Sequence, residues 1–185
     1  MARVIYNTAS TLNGFIADDN NSLDWLFEVE SPDGGELESF LQGIGVFVEG
    51  STTYEWVLRQ ERLLEEPHRW AGFYGDRPTY VFTSRDLPVP EGADVRFVAG
   101  PVQDALPAII DAAGERDVWV VGGGDLAGQF LDAGALDEIQ VSIAPAAVTG
   151  GAPLLPRVVG ARTLSLRSVE QRGQFAHLSY DVHRG

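Results

Sequence analysis

The sequence predicts an α/β domain whose mostly parallel sheet is extended by antiparallel strands at its C-terminal end. Three observations predict it. The all-apolar run Val118-Trp119-Val120-Val121 has the composition of a strand covered on both faces, as central parallel strands are. Stretches of strand character alternate with stretches of helical spacing through most of the chain. Two final strand-like segments, 163–170 and 175–183, close around Gln171-Arg172-Gly173-Gln174 as a hairpin.

Each element follows in order. Residues 4–10 (VIYNTAS) form a strand on β-branched and aromatic propensity. Residues 12–17 follow, then the polar turn 18–21. Residues 22–26 read as a capped helical turn with Ser22 as N-cap, and Ser31-Pro32-Asp33-Gly34-Gly35 as a break. A short helix is expected over 36–42 and a strand over 45–49, ending at Gly50. Ser51 or Thr52 caps the next helix, which continues through Thr53 to Leu58. Residues 60–78 are the least legible. Glu61, Glu65 and Glu66 read as a charged helix face, and 67–78 mix aromatics with Gly and Pro as an ordered surface excursion. Strands are expected over 80–83 and 93–98. Pro101 takes the first position of a helix, with Val102, Leu106, Ile109 and Ile110 at helical spacing and Gly114 as its stop. After the central strand and Gly122-Gly123-Gly124, a helix opens at Asp125 and runs to about Ala133. Residues 139–143 alternate as a strand with one polar face does, and 149–153 turn into the final hairpin. Without repeats or linkers, residues 1–185 read as a single domain.

Composition narrows the function. Thirteen basic residues against 27 acidic ones give a net charge of −14. A field of that sign repels phosphate backbones and anionic lipid, so neither nucleic acid nor a membrane is an expected partner. Every basic residue is Arg, and there is no Cys. That excludes Schiff-base lysines, the P-loop lysine, thiolate nucleophiles and disulfides. No apolar run reaches the roughly 20 residues of a membrane span, no signal-peptide layout is present, and a cytoplasmic protein is expected. His68, His177 and His183 have no ligand spacing, so no metal is expected; His177 reads as a half-buried strand residue.

Three strand ends carry the chemistry. The strongest is strand, triple glycine, helix, from Val118 to Leu126. Glycines there let a ligand approach the backbone, and the helix N-terminus offers unpaired N–H groups to a pyrophosphate. The bland alternative is a tight turn with Asp125 as N-cap, whose carboxylate competes for the same N–H groups. The second is Glu49-Gly50-Ser51-Thr52-Thr53-Tyr54, and the third Thr83-Ser84-Arg85, where Arg85 could hold another phosphate with its planar fork. Three such sites in one α/β sheet reinforce each other, because ligands gather at the carboxyl ends of its strands. Among the carboxylates, Asp24 beside Trp25 is the one that departs from a plainly solvated setting.

Several segments together resemble one family. Leu12-Asn13-Gly14-Phe15-Ile16-Ala17, Ser22-Leu23-Asp24-Trp25-Leu26, Gly50-Ser51-Thr52-Thr53-Tyr54-Glu55, Val120-Val121-Gly122-Gly123-Gly124-Asp125-Leu126, Leu136-Asp137-Glu138-Ile139, and Ala144-Pro145 followed by Gly150-Gly151-Ala152-Pro153-Leu154 are similar to motifs of the dihydrofolate-reductase-like superfamily. They most resemble the group related to the C-terminal reductase domain of riboflavin-biosynthesis deaminase–reductases. The resemblance covers nearly the whole chain in order, residues 59–78 excepted. It implies a three-layer α/β/α sandwich around a mixed sheet, a bound NADPH, a small heterocyclic (pterin- or pyrimidine-like) substrate and a homodimer. It places the pyrophosphate near Gly122, Gly123, Gly124, Asp125 and Leu126. The other phosphates and the adenosine fall near Gly50, Ser51, Thr52, Thr53, Thr83, Ser84 and Arg85. Asn13, Ala17, Asp24 and Trp25 would lie over the nicotinamide and substrate pocket, with Asp24 as candidate proton donor. Ser51 stands where the family often has Arg, and Asn13 where Asp is usual. No basic residue occurs from Leu26 through Leu58, where relatives hold a substrate phosphate with arginines. A nucleotide-binding module without catalysis, and a partner-binding protein that keeps only the fold, are the alternative readings.

Overall fold

The structure, a computed structural model, describes residues 2–30 and 35–184. Ser31 to Gly34, where a break is expected, lie outside the described residues. The strands are β1 (Val4–Ser10), β2 (Phe15–Ala17), β3 (Ile44–Gly50), β4 (Thr79–Phe82), β5 (Val95–Val98), β6 (Asp117–Gly122), β7 (Glu138–Ile143), β8 (Ala152–Pro153), β9 (Leu164–Arg172) and β10 (Phe175–Val182). The helices are α1 (Asp24–Phe27), α2 (Gly35–Gln42), α3 (Ser51–Gln60), α4 (His68–Phe73), α5 (Val102–Ala113) and α6 (Gly124–Asp132).

Eight strands form one sheet in the order β5-β4-β3-β6-β1-β7-β10-β9. The six from β5 to β7 are parallel, while β10 and β9 are antiparallel. The expected mostly parallel mixed sheet with a C-terminal hairpin is therefore present, and β6 is central. Alternation along β3 and β6 divides the side chains between two layers. Val46, Val48, Val118 and Val120 pack with Ile109 of α5 and Phe130 of α6. On the other face Phe47 and Trp119 pack with Tyr54 and Leu58 of α3 and Trp70 of α4. This is a three-layer α/β/α sandwich.

Several local expectations change. Ser22 is not the cap of α1. Leu23 is, and the Ser22 hydroxyl accepts a hydrogen bond from the Asp24 N–H at 3.0 Å. The caps of α3 and α6 are Gly50 and Gly123, so Ser51, Thr52 and Asp125 lie inside the first turns. Pro101 is the N-cap of α5 and not its first helical residue. Residues 61–65 form turns and no helix face. There Arg62 approaches Glu65 and Arg69 approaches Glu61. The stretch 67–78 is no mere surface excursion. Trp70 and Tyr74 bury their rings, stacked with centroids 3.9 Å apart.

Candidate functional site

β3 and β6 lie side by side and run directly into α3 and α6. From β3 the chain moves outward to β4 and β5; from β6 it crosses β1 to reach β7. Such a reversal of strand order opens a crevice at the carboxyl ends of the strands. A cleft of about 610 Å3 lies there, lined by Gly50, Ser51, Thr52, Thr53 and by Gly122, Gly123, Gly124, Asp125 and Leu126. Both flanking helices are capped by extended glycines, Gly50 (φ −80°, ψ 161°) and Gly123 (φ −91°, ψ −178°), without a side-chain cap. Two sets of first-turn N–H groups, with their partial positive charge, therefore open on one cleft with no side chain of their own to satisfy them.

The three successive glycines serve three different contacts. A Cβ on Gly122 would stand 3.0 Å from the Thr53 hydroxyl oxygen, so this glycine lets α3 close against β6. A Cβ on Gly123 would stand 3.8 Å from Ile16 Cδ1, an ordinary contact made inside the cleft. A Cβ on Gly124 would run into the carbonyl oxygens of Pro153 and Leu154. That last contact holds the ribbon of β2 and β8 over the cleft. Ala17 pairs with Ala152 there, and the Leu154 N–H donates to the Gly14 carbonyl at 2.9 Å. The Gly122–Gly123 peptide is cis.

The remaining walls are largely apolar, with Ile16, Trp56, Phe82, Trp119 and Val121. Asp125 is the carboxylate on the lining, and it does not compete for the helix N–H groups. It accepts from Gln129 Nε2 at 2.9 Å and from Arg157 Nη1 at 3.0 Å, which hold its carboxyl below the ordinary value. Under the cleft, Tyr74 donates its hydroxyl to Glu49 Oε1 at 2.6 Å. Burial pushes the Glu49 carboxyl up to about 7, against the opposing Tyr74 hydrogen bond. Its other oxygen has no partner among the described residues.

The structure gathers Ala17, Gly50, Ser51, Thr52, Thr53 and the 122–126 segment in this cleft. Other expected residues lie elsewhere. Thr83 accepts the Arg85 N–H at 3.0 Å, and Arg85 reaches Glu55 at 2.6 Å, so Thr83, Ser84 and Arg85 sit outside the lining. Asn13 is exposed and donates from Nδ2 to the Val148 carbonyl at 2.6 Å, a tie between two loops. Asp24 is exposed and lines neither cavity. Trp25 packs with Ala144 and Phe175, its indole N–H unpartnered among the described residues. Sequence reasoning missed Asn7, Trp56, Tyr74 and Trp119; the three aromatics are indistinguishable in sequence from core, and Asn7 is one polar residue inside a strand-like run.

A second cavity of about 690 Å3 adjoins the first, sharing Asn7, Ala9 and Leu26 with it. Its polar lining includes Glu36, Gln140, Ser142, Arg172 and His177. Its only trace in the sequence is the polar face expected over 139–143.

A three-layer sandwich on this mixed sheet, with a crevice at its switch point, is the architecture of dihydrofolate-reductase-like folds. Within it, residues 2–178 match the RibD C-terminal domain family, and the chain belongs to that family. The uncharacterized protein YwjB of Bacillus subtilis (strain 168) is 28% identical over 178 residues, spanning 96% of this chain and 97% of that one. A crystal structure from Shewanella sp. PV-4, assigned provisionally to riboflavin biosynthesis, shares 25% identity over all of both chains with a TM-score of 0.76. At the level of fold alone, dihydrofolate reductase from Enterococcus faecalis, solved with NADP(H), is 15% identical, with TM-score 0.63 over 98% of this chain and 97% of that one. Acinetobacter baumannii RibD is 17% identical with TM-score 0.71; all of this chain matches 59% of that one. Among the described residues no helix is long and apolar enough to cross a membrane.

Proposed function

We propose that the protein is an NADPH-dependent reductase that delivers a hydride to a small pterin- or pyrimidine-like heterocycle. The observation that supports this reading best is the pair of glycine-capped helix N-termini opening on one cleft. A pyrophosphate-bridged dinucleotide needs anion seats without side-chain competitors and flat apolar walls between them. Here Gly122 to Leu126 would hold one phosphate region and Gly50 to Thr53 another, in a protein whose net charge otherwise repels anions. Trp119, Val121 and Ile16 would exclude bulk water from the nicotinamide end. Bound there, NADPH would supply the hydride, and the protein's part is orientation and a dry pocket. With Asp24 outside both cavities, we assign the proton to an ordered water.

The test is titration with NADPH and with NADH, followed by tryptophan fluorescence, since Trp56 and Trp119 line the cleft. Saturable quenching, tighter for NADPH, is expected; no binding of either overturns the reading. Binding with no turnover on a panel of pterins and pyrimidines would leave a nucleotide-binding module instead. We further propose a homodimer in the cytoplasm. The edge strand β9 supports it, leaving Leu166 and Val169 exposed; sedimentation as a monomer would refute it.

A further inference from the structure

The second cavity is built differently from the cleft. Strand register sets its floor: Asn7 on β1 lies level with Gln140 on β7, and Ser142 on β7 with His177 on β10. Phe40 and Phe175 supply apolar walls. His177 is 4% exposed, with Nδ1 2.9 Å from the Ser142 hydroxyl oxygen and no hydrogen bond from Nε2 to a described residue. Burial holds the imidazole below its ordinary value, and Arg172 pushes the same way. The ring is therefore neutral at neutral pH and presents a donor or an acceptor, without charge. Gln140 donates from Nε2 to Glu138 at 2.8 Å, which leaves its amide oxygen as an acceptor. The Asn7 carboxamide makes no hydrogen bond to a described residue and stands where the two cavities meet.

The charges agree with this reading. Arg172 is the only cation on the lining among the described residues, and it is already engaged. It reaches Glu170 at 2.8 Å and Glu36 at 3.2 Å, and Glu36 lines the cavity too. An entering phosphate would face a carboxylate and a guanidinium shared between two acids, without the free fork such a group needs.

We propose that this cavity is the substrate pocket, that Asn7, Gln140, Ser142 and His177 read an uncharged amide- or urea-type edge of a planar ring, and that Glu36 with Arg172 excludes the phosphorylated form of that ring. Calling the ligand a substrate rests on the reductase reading; the recognition itself does not.

Uridine and uridine 5′-monophosphate are a matched pair of probes. Binding is followed on the imidazole NMR signals of His177, with NADPH quenching measured on the same sample. Uridine should shift those signals and bind at least about tenfold more tightly than the phosphate. Equal or tighter binding of the phosphate overturns the proposal, as does a His177 signal that neither probe moves. S142A, read on the His177 signals, and H177Q, read by calorimetry, should each lose uridine binding with NADPH quenching unchanged; uridine binding retained in folded S142A overturns the role of the pair. E36Q removes the carboxylate that faces an entering phosphate and leaves Arg172 held by Glu170 alone, so it should raise affinity for the phosphate alone, and a variant that still rejects it overturns the role of Glu36. NADPH bound without ring recognition would sink this proposal and spare the reductase reading. Ring recognition without NADPH binding would do the reverse.

Discussion

The two cavities meet at Asn7, Ala9 and Leu26 but follow opposite plans. The first is a backbone site, made by two strand ends, two helix N-termini and glycines that allow close approach. The second is a side-chain site, made by residues that sheet register collects from β1, β7 and β10 under α2. A backbone site depends on the path of the main chain, so few single side-chain changes reach it, those at its glycines excepted. A side-chain site can change one residue at a time, so the same cleft can serve different second cavities. The difference separates what the main chain builds in this molecule from what individual side chains build.

The sharpest way to break the comparison is within the triple glycine. A valine at Gly124 would drive its Cβ into the carbonyls of Pro153 and Leu154, and backbone cannot yield as a flexible side chain does. Overpacking of this kind costs about 3 kcal/mol or more. Denaturant unfolding should show that loss. Gly123→Val meets only Ile16 Cδ1 in ordinary contact. It should keep its stability and lose NADPH binding, because its methyls fill the cleft. If both variants behave alike, the glycines do not divide the roles as assigned.

Next in size is Glu49, buried beneath the cleft against Tyr74 of the 67–78 stretch and near Tyr54 of α3. Its folded value, about 7, stands above the ordinary 4.5. The folded state thus holds a proton that the unfolded state has released between those values. The associated stability is complete below about pH 4.5 and is lost as pH rises through 7, by about 3 kcal/mol. Glu49→Gln should match the wild type at the acid end and exceed it increasingly toward pH 8, which paired unfolding curves would measure. Parallel curves would show that Glu49 stays ionised in the fold.

Legibility in the sequence follows the same division. The strand–glycine–helix junctions were readable because local composition defines them: an apolar run, residues without Cβ, then helical spacing. Their caps were misread, since a hydroxyl at the first helical position looks the same in sequence as one at the cap. The second cavity was not readable. Asn7, Gln140 and His177 are far apart along the chain, and only the register of parallel β1–β7 and antiparallel β7–β10 aligns them. Trp70 and Tyr74 were hidden for another reason. Gly72, Gly75 and Pro78 give the stretch a loop's composition, while the i,i+4 spacing of the two aromatics is a single contact's worth of signal.

The smallest effect tests the rim of the backbone site. Arg85 is bound by Glu55 at 2.6 Å and lies outside the cleft lining, with its side chain 55% exposed. If Arg85 holds the extra phosphate that separates NADPH from NADH, Glu55 competes with that phosphate for the guanidinium. Glu55→Gln then tightens NADPH severalfold and leaves NADH unchanged. The gain should shrink as salt is added, because an exposed pair is screened. Arg85→Ala should erase the preference between the two cofactors. A preference that survives Arg85→Ala would assign cofactor selection to the backbone of the cleft itself, and the rim would then add nothing to the division between the two sites.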